Sequence, residues 1–134
     1  MKRTLLAVIV GLVVWWLAFY ASLLAFVLAW PALNEATRPA LENGDFSRLT
    51  TPMWLLFLTM YLWVNPVAGC ATARTGKKGN DVWIVAGLMS LYAAFMHYYV
   101  LWNVYPKWYN LLVPISIPPL MYAGARLRKA ASVR

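Results

Sequence analysis

Charged residues are scarce in this chain of 134 residues. Only 12% of the residues are Asp, Glu, Lys or Arg, whereas about a quarter are charged in a typical soluble domain. Hydrophobic residues make up 63% of the chain, and its formal net charge is +8. The basic residues lie in short clusters between long uncharged runs, which is typical of a membrane protein. The positive charge therefore points to a lipid bilayer as the partner and not to nucleic acid.

Residues that commonly carry chemistry are also few. Cys70 is the only cysteine, so no intrachain disulfide and no paired-thiol redox site can form. His97 is the only histidine, and no set of residues has the spacing of metal ligands. No nucleophile stands beside a base, and no carboxylates are paired. The sequence therefore predicts no catalytic, cofactor or metal site, and it favours a protein that is not an enzyme.

Acidic and basic residues are absent from four long apolar runs. A helix needs roughly 20 residues to cross a bilayer, and the runs lie at about 4–30, 52–72, 82–102 and 108–125. We therefore predict an all-α membrane protein in which residues 1–134 form one domain, a four-helix transmembrane bundle. Small multidrug resistance exporters have a similar size and layout, but they carry an essential glutamate in their first helix. No residue in the first run here could take up a proton in that way.

The basic residues predict the orientation of the bundle. A cytoplasmic N-terminus places nine of them inside and three outside, which satisfies the positive-inside rule. The inside set is Lys2, Arg3, Arg74, Lys77, Lys78, Arg126, Arg128, Lys129 and Arg134, and the outside set is Arg38, Arg48 and Lys107. Both termini are then cytoplasmic, as in a multi-pass protein of the bacterial inner membrane. Residues 31–50 form one outer loop of 20 residues, for which we predict one or two short helical turns and a turn at 42–45.

Asn65 is the most deeply placed amide of the predicted bundle. With a rise of 1.5 Å per residue it lies about 20 Å below the outer boundary, level with Ser90, Tyr122 and Trp16. An unpaired amide in hydrocarbon is costly. We therefore predict a buried layer in which Asn65 bonds Ser90 or Tyr122, with Trp16 or Trp63 packed against it. This tryptophan-rich interior could bind an apolar or aromatic small molecule.

His97 lies only about 8 Å below the same boundary, among the Tyr and Trp residues of an aromatic belt. Ser22, Thr59 and Ser116 lie at a similar depth, so we predict that His97 bonds one of them or a water in a shallow outer recess. Two interpretations stay open for His97: a hydrogen-bonded interfacial residue, or a ligand or proton-relay residue. Its depth differs from that of Asn65 by about 12 Å, so the two residues should not share one site.

Small residues form a stripe on the third predicted helix. Ala86, Ser90 and Ala94 are four residues apart and share one face, and small side chains let helices approach closely. The contact is either within the chain or with a partner subunit or second copy. Two functions follow from these observations: an accessory or structural subunit of a membrane complex or a homo-oligomer, and alternatively a binder or carrier of an apolar or aromatic small molecule.

Overall fold

The computed structural model describes residues 2–76 and 80–131, the side chains of 128–131 excepted. Lys77, Lys78 and Arg134, which the sequence places on the cytoplasmic side, lie outside the described residues, as do the side chains of Arg128 and Lys129. The described residues form five α-helices and one π-helical turn, and no strand. These elements are α1 (Lys2–Ala29), α2 (Pro31–Asn43), α3 (Thr51–Thr75), α4 (Asn80–Phe95) with the π-helical turn Met96–Val100 that continues it, and α5 (Lys107–Ala131).

The all-α class is confirmed, and the four predicted runs lie in helices except for Trp30, Leu101 and Trp102 at their ends. Three helices of the described residues are long and apolar enough to cross a membrane: α1, α3, and α4 together with its π-helical turn. α5 is not among them, because three prolines and several polar residues lower its hydropathy. Besides these three helices and α5, the described residues form α2, which was not predicted as a full helix.

The outer loop is more helical than predicted. In place of one or two turns, α2 has 13 residues. Pro31 begins it with a φ angle suited to the first helical position. Gly44 ends it in the left-handed conformation at φ 70°, and the N–H groups of Gly44 and Asp45 donate to the carbonyls of Ala40 and Pro39. The turn predicted at 42–45 is thus the C-terminal cap of this helix.

α2 is amphipathic and lies on the C-terminal end of α1 and the N-terminal end of α3. Leu33 and Ala36 are buried against Phe26 and Met53, while Asn34, Glu35 and Arg38 are exposed. An exposed ion pair between Arg38 and Glu42, 3.3 Å long, contributes little to stability. A short helix with one apolar face is suited to the surface of a bilayer.

α5 lies along both α3 and α4, and α1 packs on α3. Val113, Ile117 and Met121 of α5 are fully buried. α3 and α5 meet backbone to backbone, because a Cβ atom at Gly69 would collide with the Met121 carbonyl and one at Gly124 with the Pro66 carbonyl. Glycine on both helices is what permits so close an approach in a membrane protein.

The small-residue stripe of α4 makes a contact within the chain. Ala86 is fully buried and Ala94 is half-buried. The Ser90 hydroxyl donates to the Pro114 carbonyl at 2.7 Å. That carbonyl has no intrahelical donor because Pro118, four residues later, lacks an N–H, so Ser90 satisfies it. A contact of Ala86, Ser90 and Ala94 with a partner subunit or a second copy stays a prediction.

Candidate functional site

Asn65 is fully buried between α1 and α3. Its Oδ1 atom accepts a hydrogen bond from the Trp15 indole Nε1–H at 2.8 Å. Its Nδ2 atom donates to the Tyr61 carbonyl at 2.9 Å. The amide therefore has a partner for both of its ends, and this pair ties α1 to α3 in the interior of the bundle.

The partners of Asn65 differ from those predicted. Ser90 bonds Pro114 instead, and Tyr122 stacks on Trp83 with ring centroids 5.1 Å apart. Trp16 and Trp63 are on the surface, with 37% and 42% of their area exposed. Depth in the bundle was estimated from sequence spacing, but spacing does not give the rotation of each helix about its axis. Successive helical residues differ by about 100°, so the buried indole is that of the neighbouring residue.

We expect Asn65→Leu to leave the Trp15 N–H without an acceptor. Interhelical hydrogen bonds in membrane proteins average roughly 0.6 kcal/mol, with a maximum near 1.7. Trp15→Phe removes the donor, so the two single variants and the double variant form a thermodynamic cycle. The coupling free energy is measured by unfolding in mixed micelles with rising sodium dodecyl sulfate. It should lie between roughly 0.6 and 1.7 kcal/mol. A coupling of zero would mean that the bond adds nothing to stability.

His97 is buried beside α5. Its Nδ1 atom lies 2.8 Å from the Asn110 Oδ1 atom. Asn110 is fully buried, and its Nδ2 atom lies within 3.3–3.4 Å of the carbonyls of Leu101, Trp102 and Tyr105. Asn110 therefore joins His97 to the loop between α4 and α5. Asn110 was not predicted as a site residue. Its position one turn inside α5, near the predicted outer boundary like that of His97, was the sequence feature that could have indicated it.

The three hydroxyls predicted to bond His97 are used elsewhere. Ser22, Thr59 and Ser116 each donate to a carbonyl of their own helix, three or four residues earlier. Such local bonds are common for serine and threonine within helices. The predicted outer recess therefore lacks these three partners, and His97 has Asn110 in their place.

The turn that carries His97 is π-helical. Leu101 donates its N–H to the Met96 carbonyl, five residues earlier, at 2.8 Å. One extra residue in a turn changes which side chains face the interior, and single π-helical turns are frequent at functional sites. His97 is 4% exposed, whereas its neighbour Tyr99 is 82% exposed. The π-helical turn thus separates an inward histidine from an outward tyrosine.

Two cavities with shared walls lie in this region. One is lined by residues of α2, and the other is lined by His97. The larger one, which we name the aromatic cavity, has a volume of about 270 Å³, and Thr37, Ala40 and Leu41 of α2 form its roof. Its other walls are mainly aromatic: Phe19, Tyr20, Phe46, Trp54, Phe57, Tyr61, Tyr105 and Tyr109. The smaller one, which we name the histidine chamber, has a volume of about 130 Å³ and is lined by His97. Phe19, Tyr61 and Tyr105 line both cavities.

Both cavities reach the surface of the helices. The histidine chamber is bordered by Trp16 and by Tyr92, which is 45% exposed. The aromatic cavity is bordered by Tyr20 and Leu41, which are 58% and 76% exposed. Exposed side chains of α1 and α4 thus border the histidine chamber, and exposed side chains of α1 and α2 border the aromatic cavity.

The walls of both cavities carry no charged side chain in the part of the chain that the structure describes. Burial raises the pKa of Tyr105 to about 12, so its hydroxyl stays protonated at neutral pH. No three His, Cys, Asp or Glu side chains of the described residues come together. The two cavities therefore offer aromatic rings, a few hydroxyls and one imidazole.

Comparison with other proteins leaves this site to be interpreted from its own chemistry. No family model, curated protein or solved structure matches the chain. The described residues form an all-helical protein with three helices long and apolar enough to cross a membrane and with an uncharged aromatic cavity beside α2. Cavities with apolar and aromatic walls and a few polar groups are the usual sites of small-molecule binding.

Proposed function

We propose that the chain is an integral membrane protein with four spans, of the bacterial inner-membrane type, and with both termini in the cytoplasm. α5 is the fourth span. It has 25 residues, about 37 Å of helix, and residues 108–125 contain no charged side chain. Because α5 packs along α3 and α4, it crosses wherever they cross. The distribution of nine and three basic residues supports the orientation.

The orientation can be tested with reporter fusions. A reporter that is active only in the cytoplasm should be active after Arg134 and inactive when inserted near Asn43, because α2 lies on the outer side. The same pair of fusions with a reporter active only outside should give the opposite pattern. Activity of the cytoplasmic reporter near Asn43 would contradict the argument from basic residues.

We further propose that the protein binds an apolar or aromatic small molecule. The observation that carries this proposal is the uncharged aromatic cavity under α2, which adjoins the histidine chamber and opens beside α1. Aromatic side chains bury much area and give directional ring contacts to an aromatic ligand. A charged ligand would lose its hydration without gaining a partner of opposite charge. The ligand therefore enters from the lipid and is neutral.

Purification from native membranes distinguishes this proposal from its alternative. The tagged chain, expressed in its own host at natural levels, is extracted in mild detergent and analysed by native mass spectrometry. A neutral small molecule bound to one chain supports the proposal. A stoichiometric protein partner with no bound small molecule supports a structural role instead.

The alternative is an accessory subunit of a membrane complex or a homo-oligomer, and one observation favours it. Trp16 contacts Tyr20 and Tyr92, with ring centroids 5.5 and 6.2 Å apart, on the surface of the bundle. Tyr20 and Tyr92 each lie ten residues before Trp30 and Trp102 of the outer boundary, so about 15 Å deep. A hydroxyl at that depth gains from a polar partner on another helix. A partner subunit that covers this surface would supply one.

A further inference from the structure

The amide of Asn110 has a fixed orientation. One of its ends faces the backbone carbonyls of Leu101, Trp102 and Tyr105, which only accept hydrogen bonds. That end must therefore be the NH₂ group, because a carbonyl oxygen there would face three other oxygens. The Oδ1 atom of Asn110 consequently faces His97, and it needs a donor.

The donor is the Nδ1–H group of His97, 2.8 Å away. Among the residues that the structure describes, no carboxylate lines the histidine chamber to balance the charge of an imidazolium, so the ring is neutral. A neutral imidazole carries a single N–H group, and when that group is on Nδ1 the Nε2 atom is a bare acceptor. Asn110 thus sets the tautomer of His97 and leaves one lone pair for another molecule.

That lone pair points into accessible space. Among the described residues, no enclosed side-chain nitrogen or oxygen lacks a hydrogen-bond partner. The Nε2 atom of His97 has no partner among these residues, so it is not enclosed. The space that His97 lines is the histidine chamber, whose other walls are mostly aromatic rings and methionine side chains.

We propose, on the basis of the small-molecule binding proposed above, that the ligand is an aromatic molecule carrying a hydroxyl group. The hydroxyl donates to the Nε2 atom of His97, and the aromatic body lies against Phe19 and Tyr61, which line both cavities, and extends into the aromatic cavity. A ligand with an ether or a ketone in place of the hydroxyl has no proton to give, and the neutral ring has none to offer from Nε2. The site therefore selects phenols over acceptor-only analogues of the same size.

Two probes test this selectivity: 1-naphthol, and 1-methoxynaphthalene, which has the same rings and oxygen but no donor. Each is measured by equilibrium dialysis against the protein in lipid nanodiscs, and the uptake by empty nanodiscs is subtracted. We expect 1-naphthol to bind about tenfold more tightly than 1-methoxynaphthalene, because one buried hydrogen bond contributes a free energy of about that size. In His97→Leu the two affinities should become equal, with the affinity for 1-methoxynaphthalene retained.

Tyr105→Phe is the matched control, because it removes a hydroxyl from the same chamber and keeps the ring. The preference for 1-naphthol should persist in this variant. A preference that disappears in Tyr105→Phe and persists in His97→Leu would overturn the assignment to His97. Equal binding of both probes to the natural protein would overturn the inference while leaving small-molecule binding intact, and saturable binding of neither probe would reject both proposals.

Nitrogen NMR of the natural protein gives a test that needs no substitution. With ¹⁵N-labelled histidine, the single ring should show a protonated Nδ1 and an unprotonated Nε2. The Nε2 resonance should shift when 1-naphthol is added and stay unchanged with 1-methoxynaphthalene. A proton on Nε2 in the absence of ligand would overturn the proposal, whether or not His97→Leu folds.

Discussion

Gly124→Val is expected to separate α3 from α5 and to destabilise the protein strongly. A Cβ atom at Gly124 would overlap the Pro66 carbonyl, and one at Gly69 would overlap the Met121 carbonyl. Backbone atoms cannot change rotamer to make room, so the helices must move apart. Overpacking of a core typically costs about 1–3 kcal/mol, and we expect Gly124→Val to reach at least the top of that range. The measurement is the sodium dodecyl sulfate fraction at which half of the helical signal is lost.

Gly87→Val is the matched control for this prediction. Gly87 lies on the surface of α4, and a Cβ atom there would meet nothing within 4 Å. The same substitution should therefore leave the unfolding midpoint near that of the natural protein. Gly69→Val, at the same crossing as Gly124, should behave like Gly124→Val. A midpoint for Gly124→Val equal to that of Gly87→Val would show that α3 and α5 do not touch there.

Leu33→Ala is expected to release α2 from the C-terminal end of α1 and the N-terminal end of α3. Leu33 is fully buried and packs in a cluster with Ala36 and Met53. Truncation of a buried leucine to alanine costs about 2–5 kcal/mol, and α2 has few other apolar anchors. Local opening of α2 should then become frequent, because its contacts with the bundle are concentrated on this face. Hydrogen exchange of the amides in residues 31–43, followed by mass spectrometry, measures this opening.

Leu41→Ala serves as the control on the same helix. Leu41 is 76% exposed, so its truncation removes little buried area and should leave exchange in residues 31–43 nearly unchanged. Exchange in α3 should stay slow in both variants, since the contacts of α3 with α1 and α5 are intact. Equal exchange rates of α2 in Leu33→Ala and Leu41→Ala would contradict the proposed docking of this helix.

The long helices could be predicted from the sequence because the bilayer imposes a length on uncharged runs. The extent of α2 could not, since Pro39 and the polar composition of residues 31–50 resemble a loop. The sequence pattern that could have indicated α2 is the spacing of Leu33, Ala36 and Thr37, which lie on one helical face. Pro39 lies inside this helix, where it lacks the N–H group that would otherwise bond the Glu35 carbonyl.

The site could be predicted only in part. The depths of Asn65 and His97 below the boundary stay predictions from the helical rise. Their partners depend on the rotation of each helix about its axis, which puts Trp15 and not Trp16 in the interior. The π-helical turn at Met96–Val100 shifts the register around His97, and no residue pattern indicated it. The aromatic cavity could not be predicted at all, because its walls come from α1, α2, α3, α5 and two loops.

The most direct test of the account is the number of naphthalene molecules held by the protein in lipid nanodiscs, beyond the uptake of empty nanodiscs. Leu23 lines the aromatic cavity, so Leu23→Trp should fill it, whereas the neighbouring Leu24 is 60% exposed and Leu24→Trp should not. We predict saturable binding of one naphthalene per chain in the natural protein and in Leu24→Trp. In Leu23→Trp the affinity for naphthalene should be at least about tenfold weaker, because cavity volume and ring contacts are lost. Uptake that never saturates, or the same affinity in all three proteins, would contradict a binding site in the aromatic cavity.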